Sequence, residues 1–416
     1  MEKYVINSGK VSGKVVIDSA KNAVLPMIAG AVLTEEQTII KNCPKIVDVI
    51  SMLKLLKEVG ISSEFVDDDL VINAKEINGY YLPYKLTKTL RTSVLMMGAL
   101  LGRCGKATLH YPGGCEIGER PINLHISSLK KLGVSVLDDG DVLQCSCSKL
   151  QGESIRLNYP SVGATENLLL ASVKAEGITK IYNYAKEPEV IDFINMLNQM
   201  GARISVSPEV LTIEGVTKLH GVVYKPIPDR IEAGTFILSA LITKGEIEIS
   251  NVNLENILPL VGKFYNNTCN ISIKNDIIYL KSGSMRNSFN VITGPHPLFP
   301  TDLQAQTAVL ATVSKGESKI VETVFENRFG YALELIKMGA KIKVLQNTAY
   351  IKGVKKLQGA KVTAKDLRGG AALVLAGLCA EGQTEVLGVE HVERGYYNFD
   401  KKLEALNISI KRTIEE

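Results

Sequence analysis

The sequence predicts an α/β fold built by repetition, with sheets outside and apolar helices inside. Three observations carry this. An apolar helix-like segment closed by a turn and a short strand recurs six times, its starts about 70 residues apart, the spacing of stacked supersecondary units. A second, more amphipathic helix recurs between these segments and ends at a glycine. The first kind of helix is apolar on nearly all sides, as in Ala371 to Leu378, and such a helix is buried.

The apolar segments are Ser19–Leu33, Leu90–Leu101, Ser161–Ala175, Arg230–Thr243, Pro300–Val313 and Asp366–Ala380. After most of them come a glycine and a β-branched strand, as at Gly177, Gly245 and Gly316, where glycine fits a left-handed helix cap. The amphipathic helices end at Gly60, Gly133, Gly201 and Gly339, with two copies lacking the glycine near Asn267 and at Leu406-Asn407. The clearest copy opens with Pro188 between Glu187 and Glu189, which suits a helix N-terminus. Val190, Ile194, Leu197 and Met200 follow at helical spacing, and Ala202 to Val206 then alternates as a strand. Six units divide into three plus three. We expect one lobe of residues 21–228, carrying a cysteine loop around Cys115, and a second of residues 1–20 plus 229–416, carrying Asp302 and Arg394. A cleft between two such lobes is a favoured ligand site.

Composition narrows the function. The chain has 416 residues, 45% hydrophobic and 22% charged, with a net charge of +4. That charge is too mild to imply nucleic acid, and no aromatic-interleaved basic patch is present. Seven scattered cysteines, with Cys145 and Cys147 too close for a CxxC motif, point to a reduced, cytosolic protein. No signal peptide is expected at the start, and the apolar runs fall short of the ~20 residues that span a bilayer. The glycine-rich Gly9 to Val15 has the wrong spacing for a phosphate-binding P-loop. Metal-hydrolase and serine-hydrolase motifs are lacking.

The segment Pro112-Gly-Gly-Cys-Glu-Ile-Gly-Glu-Arg-Pro121 stands out. Its glycines permit tight turns and close approach to a ligand, and its prolines fix the ends. Cys115 is either a buried small hydrophobe, as free cysteines commonly are, or a presented thiol with Arg120 near enough to stabilise a thiolate. Lys21 and Asn22 open the first apolar helix, where a lysine either meets a phosphate or is simply solvated. Arg91 opens the second, and Arg394 lies in Glu393-Arg-Gly-Tyr-Tyr397. Asp302, in Pro300-Thr-Asp-Leu-Gln304, either charge-complements its helix or acts as a general base. Asp229-Arg230 and Asp366-Leu-Arg368 hold the equivalent corner in other units.

Together these segments resemble the UDP-N-acetylglucosamine 1-carboxyvinyltransferases, the enolpyruvyl transferases that open peptidoglycan synthesis. The resemblance runs nearly end to end, through Ala20-Lys-Asn-Ala23, the cysteine loop with Asn123-Leu124-His125, and Ser161-Val-Gly-Ala-Thr165. It continues through Asp229 to Thr235, Phe299 to Gln304, Glu326-Asn-Arg-Phe329, Asp366-Leu-Arg368 and Arg394-Gly-Tyr396. The sister family making enolpyruvylshikimate phosphate shares the fold but lacks the cysteine loop.

The resemblance implies a two-lobed inside-out α/β barrel of six βαβ-rich units, and transfer of the enolpyruvyl group of phosphoenolpyruvate to the sugar 3′-hydroxyl. It makes Cys115 the acid that protonates the methylene carbon, Asp302 the general base, and Lys21, Arg91, Arg120 and Arg394 the anion binders. Lys21 and Arg394 also count among the catalytic residues. It further implies that Asn22 positions phosphoenolpyruvate and that Arg120, Pro121, Ile122, Asn123, Leu124, Ser161, Val162, Gly163, Asp302, Val324 and Arg368 bind substrate. The cysteine loop would close as a lid, and fosfomycin would alkylate Cys115. No cofactor, metal, nucleic acid or membrane partner is expected. The chain departs from the family pattern at Ser19-Ala20, at Tyr159-Pro160 and at Leu298. Enolpyruvyl transfer to shikimate phosphate and a non-catalytic UDP-sugar binder are the competing readings.

Overall fold

The computed structural model describes residues 2–113, 122–264, 269–283 and 287–414. Each predicted apolar segment contains a helix: Lys21–Gly30, Leu95–Cys104, Val162–Ser172, Arg230–Thr243, Gln304–Thr312 and Leu367–Cys379. Arg91–Val94 and Thr301–Leu303 are single 3₁₀ turns leading into the second and fifth. Every residue of Gln304–Thr312 is buried, as is every residue of Arg230–Thr243 except its last. Each large apolar side chain so buried contributes roughly 2 kcal/mol.

Glycines let these helices touch. A Cβ on Gly98 would lie 2.3 Å from Asn167 Oδ1, and one on Gly234 would lie 2.5 Å from Leu303 Cδ1. At Gly98 a methyl would also meet the Asn167 backbone oxygen at 2.4 Å, whereas at Gly234 it would have to push aside the Leu303 and Leu260 side chains.

The chain divides into two compact units, residues 19–113 with 122–227 and residues 2–18 with 228–414 among those described. Each unit has three four-stranded sheets of one pattern: an edge strand parallel to the next, then two antiparallel strands. In the unit containing Lys21, Tyr81–Leu82 runs parallel to Lys106–His110, which pairs antiparallel with Val142–Ser146 and on to Ser135–Asp138. The strand Lys106–His110 buries Ala107 and Leu109, alternating as a one-sided sheet requires. In the unit containing Asp302, Asn290–Ile292, Glu317–Val321, Thr348–Lys352 and Lys341–Leu345 follow the same order.

Three sheets borrow strands from far along the chain, and in one of them Ser12–Val16 runs parallel to Glu246–Ser250. Glu2–Asn7 pairs antiparallel with both Gln383–Leu387 and Ile410–Ile414, completing the last sheet. Val223–Tyr224 runs parallel to Gln37–Ile40 and completes the first.

The amphipathic helices Val47–Glu58, Asn123–Lys131, Pro188–Gln199 and Tyr331–Lys337 end as predicted, with Gly60, Gly133, Gly201 and Gly339 at positive φ. Asn407 takes the same left-handed conformation at φ 62, so asparagine replaces glycine in that copy. Asn267 lies outside the described residues. The expected cap at Gly245 is shifted by one residue. Lys244 is left-handed at φ 58 and caps the helix Arg230–Thr243, whereas a Cβ on Gly245 would lie 2.3 Å from the Val11 carbonyl oxygen. Glycine is needed there for close strand approach.

Candidate active site

In the unit containing Asp302, three buried helices start at one polar corner. Asp229 accepts from the N–H groups of Ile231 and Glu232, and Asp366 from those of Arg368 and Gly369, so both cap helix N-termini. Asp302, in the turn before the third helix, makes side-chain ion pairs instead. Its Oδ1 accepts from Arg328 Nη2 at 2.7 Å and its Oδ2 from Arg368 Nη2 at 2.8 Å. The arginine side chains are each 5% exposed and the aspartate 25%. Burial pushes the Asp302 carboxyl up, but Arg368 and then Arg328 outweigh it and hold it well below the usual carboxylate range.

Aromatic rings back both cations. Arg328 lies 4.8 Å from the centre of the Phe325 ring and Arg368 5.5 Å from that of Tyr396. Arg394 precedes Gly395, where a Cβ would lie 2.6 Å from Leu367 Cδ2, so this turn packs directly on the helix carrying Arg368. Val324 is placed by buried Glu322, whose Oε1 accepts from its N–H at 2.8 Å and whose Oε2 accepts from the hydroxyl of Thr301, beside Asp302. Asp302, Val324 and Arg368 thus belong to one corner, and the turn that carries Arg394 packs against the helix of Arg368.

In the unit containing Lys21, the Lys21 ammonium pairs with Asp48 at 2.6 Å, with side chains 12% and 4% exposed. Asn22 is half-buried beside it. Pro26, within the same helix, lacks the N–H that would bond the Asn22 carbonyl. Arg91 begins the 3₁₀ turn before Leu95–Cys104 and is partly buried. Ser161 caps the helix Val162–Ser172, accepting from Ala164 N–H at 3.4 Å, with Val162 and Gly163 in its first turn.

Asn167 ties these last two helices together. Its Oδ1 accepts from Gly98 N–H at 2.6 Å, and its Nδ2 donates to the Val94 carbonyl at 2.8 Å. Those partners fix which amide atom is nitrogen. The same Nδ2 lies 2.8 Å from His125 Nδ1, so that ring nitrogen accepts and the proton sits on Nε2. A Cβ on Gly163 would lie 3.3 Å from His125 Nε2, which brings the imidazole against the Val162–Gly163 turn. Ile122, Asn123 and Leu124 lead into the helix bearing His125.

Cys115, Arg120 and Pro121 lie outside the described residues. Cys104 is exposed, while Cys43, Cys145 and Cys269 are buried. Among the described residues, no three His, Cys, Asp or Glu side chains are grouped to hold a metal, and no helix is long and apolar enough to cross a membrane.

The family description "EPSP synthase (3-phosphoshikimate 1-carboxyvinyltransferase)" matches residues 5–403. A UDP-N-acetylglucosamine 1-carboxyvinyltransferase 2 of Caldanaerobacter subterraneus subsp. tengcongensis is 45% identical over 99% of this chain and 100% of its own. The chain belongs to the enolpyruvyl transferase family. A second family member, UDP-N-acetylglucosamine 1-carboxyvinyltransferase 2 of Carboxydothermus hydrogenoformans, is 43% identical over 99% of both chains. The enolpyruvyl transferase NikO from Streptomyces tendae shares the fold at a TM-score of 0.89 and 22% identity, covering 99% of each chain. EPSP synthase from Acinetobacter baumannii superposes at 0.75 with 17% identity over 100% of each. The two-lobed inside-out α/β barrel expected from the sequence is therefore the fold of this enolpyruvyl transferase family.

Several polar residues around these corners were not singled out from the sequence. Asp48, the partner of Lys21, is an ordinary first-turn acid in sequence. Arg328 and Tyr396 were visible only as members of the Glu326–Phe329 and Arg394–Tyr396 motifs. Asn167 lies inside an apolar helix, and a buried asparagine there was an available signal.

Proposed function

We propose that the protein transfers the enolpyruvyl group of phosphoenolpyruvate to the 3′-hydroxyl of UDP-N-acetylglucosamine, releasing phosphate, as the first committed step of peptidoglycan synthesis. The observation that carries this reading is the near-full-length 45% identity to a protein named for that reaction. The Cys115 loop separates it from transfer to shikimate phosphate.

In this reading Cys115 donates a proton to the methylene carbon of phosphoenolpyruvate while the sugar oxygen bonds to the adjacent carbon. Asp302 takes the hydroxyl proton. The tetrahedral adduct then breaks its carbon–oxygen bond to phosphate and gives a methyl proton back to the Cys115 thiolate, which regenerates the double bond as the enol ether of the product. A carboxylate held so far below its usual range is a weak base in isolation. It suffices here because the attacking hydroxyl becomes strongly acidic only as the new C–O bond forms. Each Asp302 oxygen also keeps a lone pair beyond the one taken by its arginine.

Lys21, Arg91, Arg120 and Arg394 neutralise phosphate and carboxylate charge, with arginine acting through its bidentate fork. Lys21 does so while anchored on Asp48, which limits its reach and orients it. Asn22 positions phosphoenolpyruvate. Arg120 to Leu124, Ser161 to Gly163, Asp302 and Val324 line the UDP-sugar site, and Arg368 binds substrate. The scattered cysteine set supports a cytoplasmic location.

The test is phosphate release by purified protein. Release that needs both substrates supports the assignment. No release with both present, or equal release with shikimate 3-phosphate as acceptor, sinks it.

A further inference from the structure

We propose that Tyr396 is the positioning residue that fixes Arg368 and, through it, the carboxylate of Asp302. The proposal rests on the reading that Asp302 takes the acceptor's hydroxyl proton.

Tyr396 is 1% exposed, and its ring lies 5.5 Å from the Arg368 guanidinium. Its hydroxyl is held by a chain of bonds whose direction follows from donor chemistry. Thr235 Oγ1 donates its single proton to the Ile231 carbonyl at 2.8 Å. The Tyr396 hydroxyl, 2.8 Å from the same Oγ1, must therefore donate to it. Gln306 Nε2 then donates to the Tyr396 oxygen at 3.1 Å and to Thr235 at 3.2 Å. Phe399 packs on the ring at 4.7 Å between centroids.

Thr235 and Gln306 come from two of the buried helices, and Arg368 from the third. The tyrosine thus refers the arginine's position to the core of the whole unit. A buried hydroxyl left without partners is costly, and phenylalanine would fill the same space, so packing alone gives no reason for this oxygen. Arg328, on the other side of Asp302, stacks on Phe325, which has no hydroxyl to anchor. Of the two arginines holding Asp302, Arg368 is the one with a fixed support. The charged groups facing this assembly are Asp302, Arg328 and Asp229.

The test measures kcat, KM for both substrates and Tm for Y396F, Y396L, R368K and D302N. Y396L is expected to lower kcat about tenfold or more, as slight misplacement of a reacting group does, with both KM values within about twofold. Y396F, which keeps the ring, should fall between Y396L and the parent. R368K should share the fall in kcat, because lysine cannot reproduce the fork, and should in addition raise a substrate KM, because Arg368 itself binds substrate. Parental kcat in Y396L overturns the proposal, as does a loss expressed only in KM, or an equal loss in Y396F and Y396L.

If Y396L does not fold, T235V and Q306L each remove one partner of the hydroxyl while leaving the ring. They should lower kcat about threefold at unchanged KM, and parental kcat in both overturns the proposal. Full activity in D302N removes the base reading itself. An inactive D302N beside a fully active Y396L removes only the positioning role.

Discussion

Arg368 Nη2 lies 2.8 Å from Asp302 Oδ2, and Arg328 grips the opposite carboxylate oxygen at 2.7 Å. The carboxylate is therefore oriented from both sides and kept ionised. Asp302→Asn should lower kcat by about a hundredfold or more, the usual size of a lost general base. It should also destabilise the fold by about 3 kcal/mol, because two buried arginines lose their counter-ion. The carboxyl lies below its ordinary value, so its contribution to stability is present above the unfolded-state pKa and lost only as pH falls through the folded one. The Tm difference between D302N and the parent should accordingly stay constant from pH 5 to 8. A difference that disappears across that interval would mean Asp302 titrates there.

Fosfomycin should add one equivalent to the protein, at Cys115. Burial pushes the thiols of Cys145 and Cys269 up to about 11 and that of Cys43 higher still, which suppresses the thiolate each needs to react. Exposed Cys104 and the half-buried Cys147 and Cys379 are the competing sites, and partial burial raises the Cys104 and Cys147 thiols as well. Peptide mapping by mass spectrometry should find the adduct on Cys115 and not on Cys104. The reverse pattern would take the thiol out of its assigned role.

Gly98→Ala should be costly despite its small size. The new methyl would meet both Asn167 Oδ1 at 2.3 Å and the Asn167 backbone oxygen at 2.4 Å, so two buried helices must separate. Overpacking of this kind destabilises by about 1–3 kcal/mol. Because Asn167 fixes the His125 tautomer, the nitrogen NMR spectrum of His125 should show protonated Nε2 and bare Nδ1 in the parent. In Asn167→Leu that preference should weaken. An unchanged tautomer in the leucine variant would show that another contact sets it.

Glu166 is 4% exposed, and its Oε1 has no hydrogen-bond partner. Burial, then Glu189 and Glu187, push its carboxyl well above the ordinary range. The native state therefore holds a proton that the unfolded chain releases near the usual glutamate pKa, so stability declines as pH rises above that value. Glu166→Gln cannot titrate. It should match the parent near pH 5 and exceed it in Tm at pH 8. A constant Tm offset at both pH values would refute the buried protonated acid.

Much of this architecture is legible locally. The six buried helices were readable because an all-round apolar segment has no solvent-facing solution, and the glycines ending the outer helices are required by positive φ. Ser161, Asp302 and Arg368 were findable because they sit at the starts of those helices. The pairing of Lys21 with Asp48 was not, since their approach depends on how two helices pack. Asn407 standing in for glycine, and Lys244 taking the cap expected at Gly245, show the same limit at single residues.

The sequence by itself determined the period, the helix type in each half-repeat and the polar residues at the helix starts. These follow from side-chain pattern and backbone preference within a few turns. Tertiary structure alone decided that Glu2–Asn7 closes the last sheet and Val223–Tyr224 the first. It also decided that Asp302 is an arginine-bound anion and not a helix cap. Strand pairing across hundreds of residues and the meeting of three helix ends depend on which apolar faces must be buried together, and no local window of sequence contains that information.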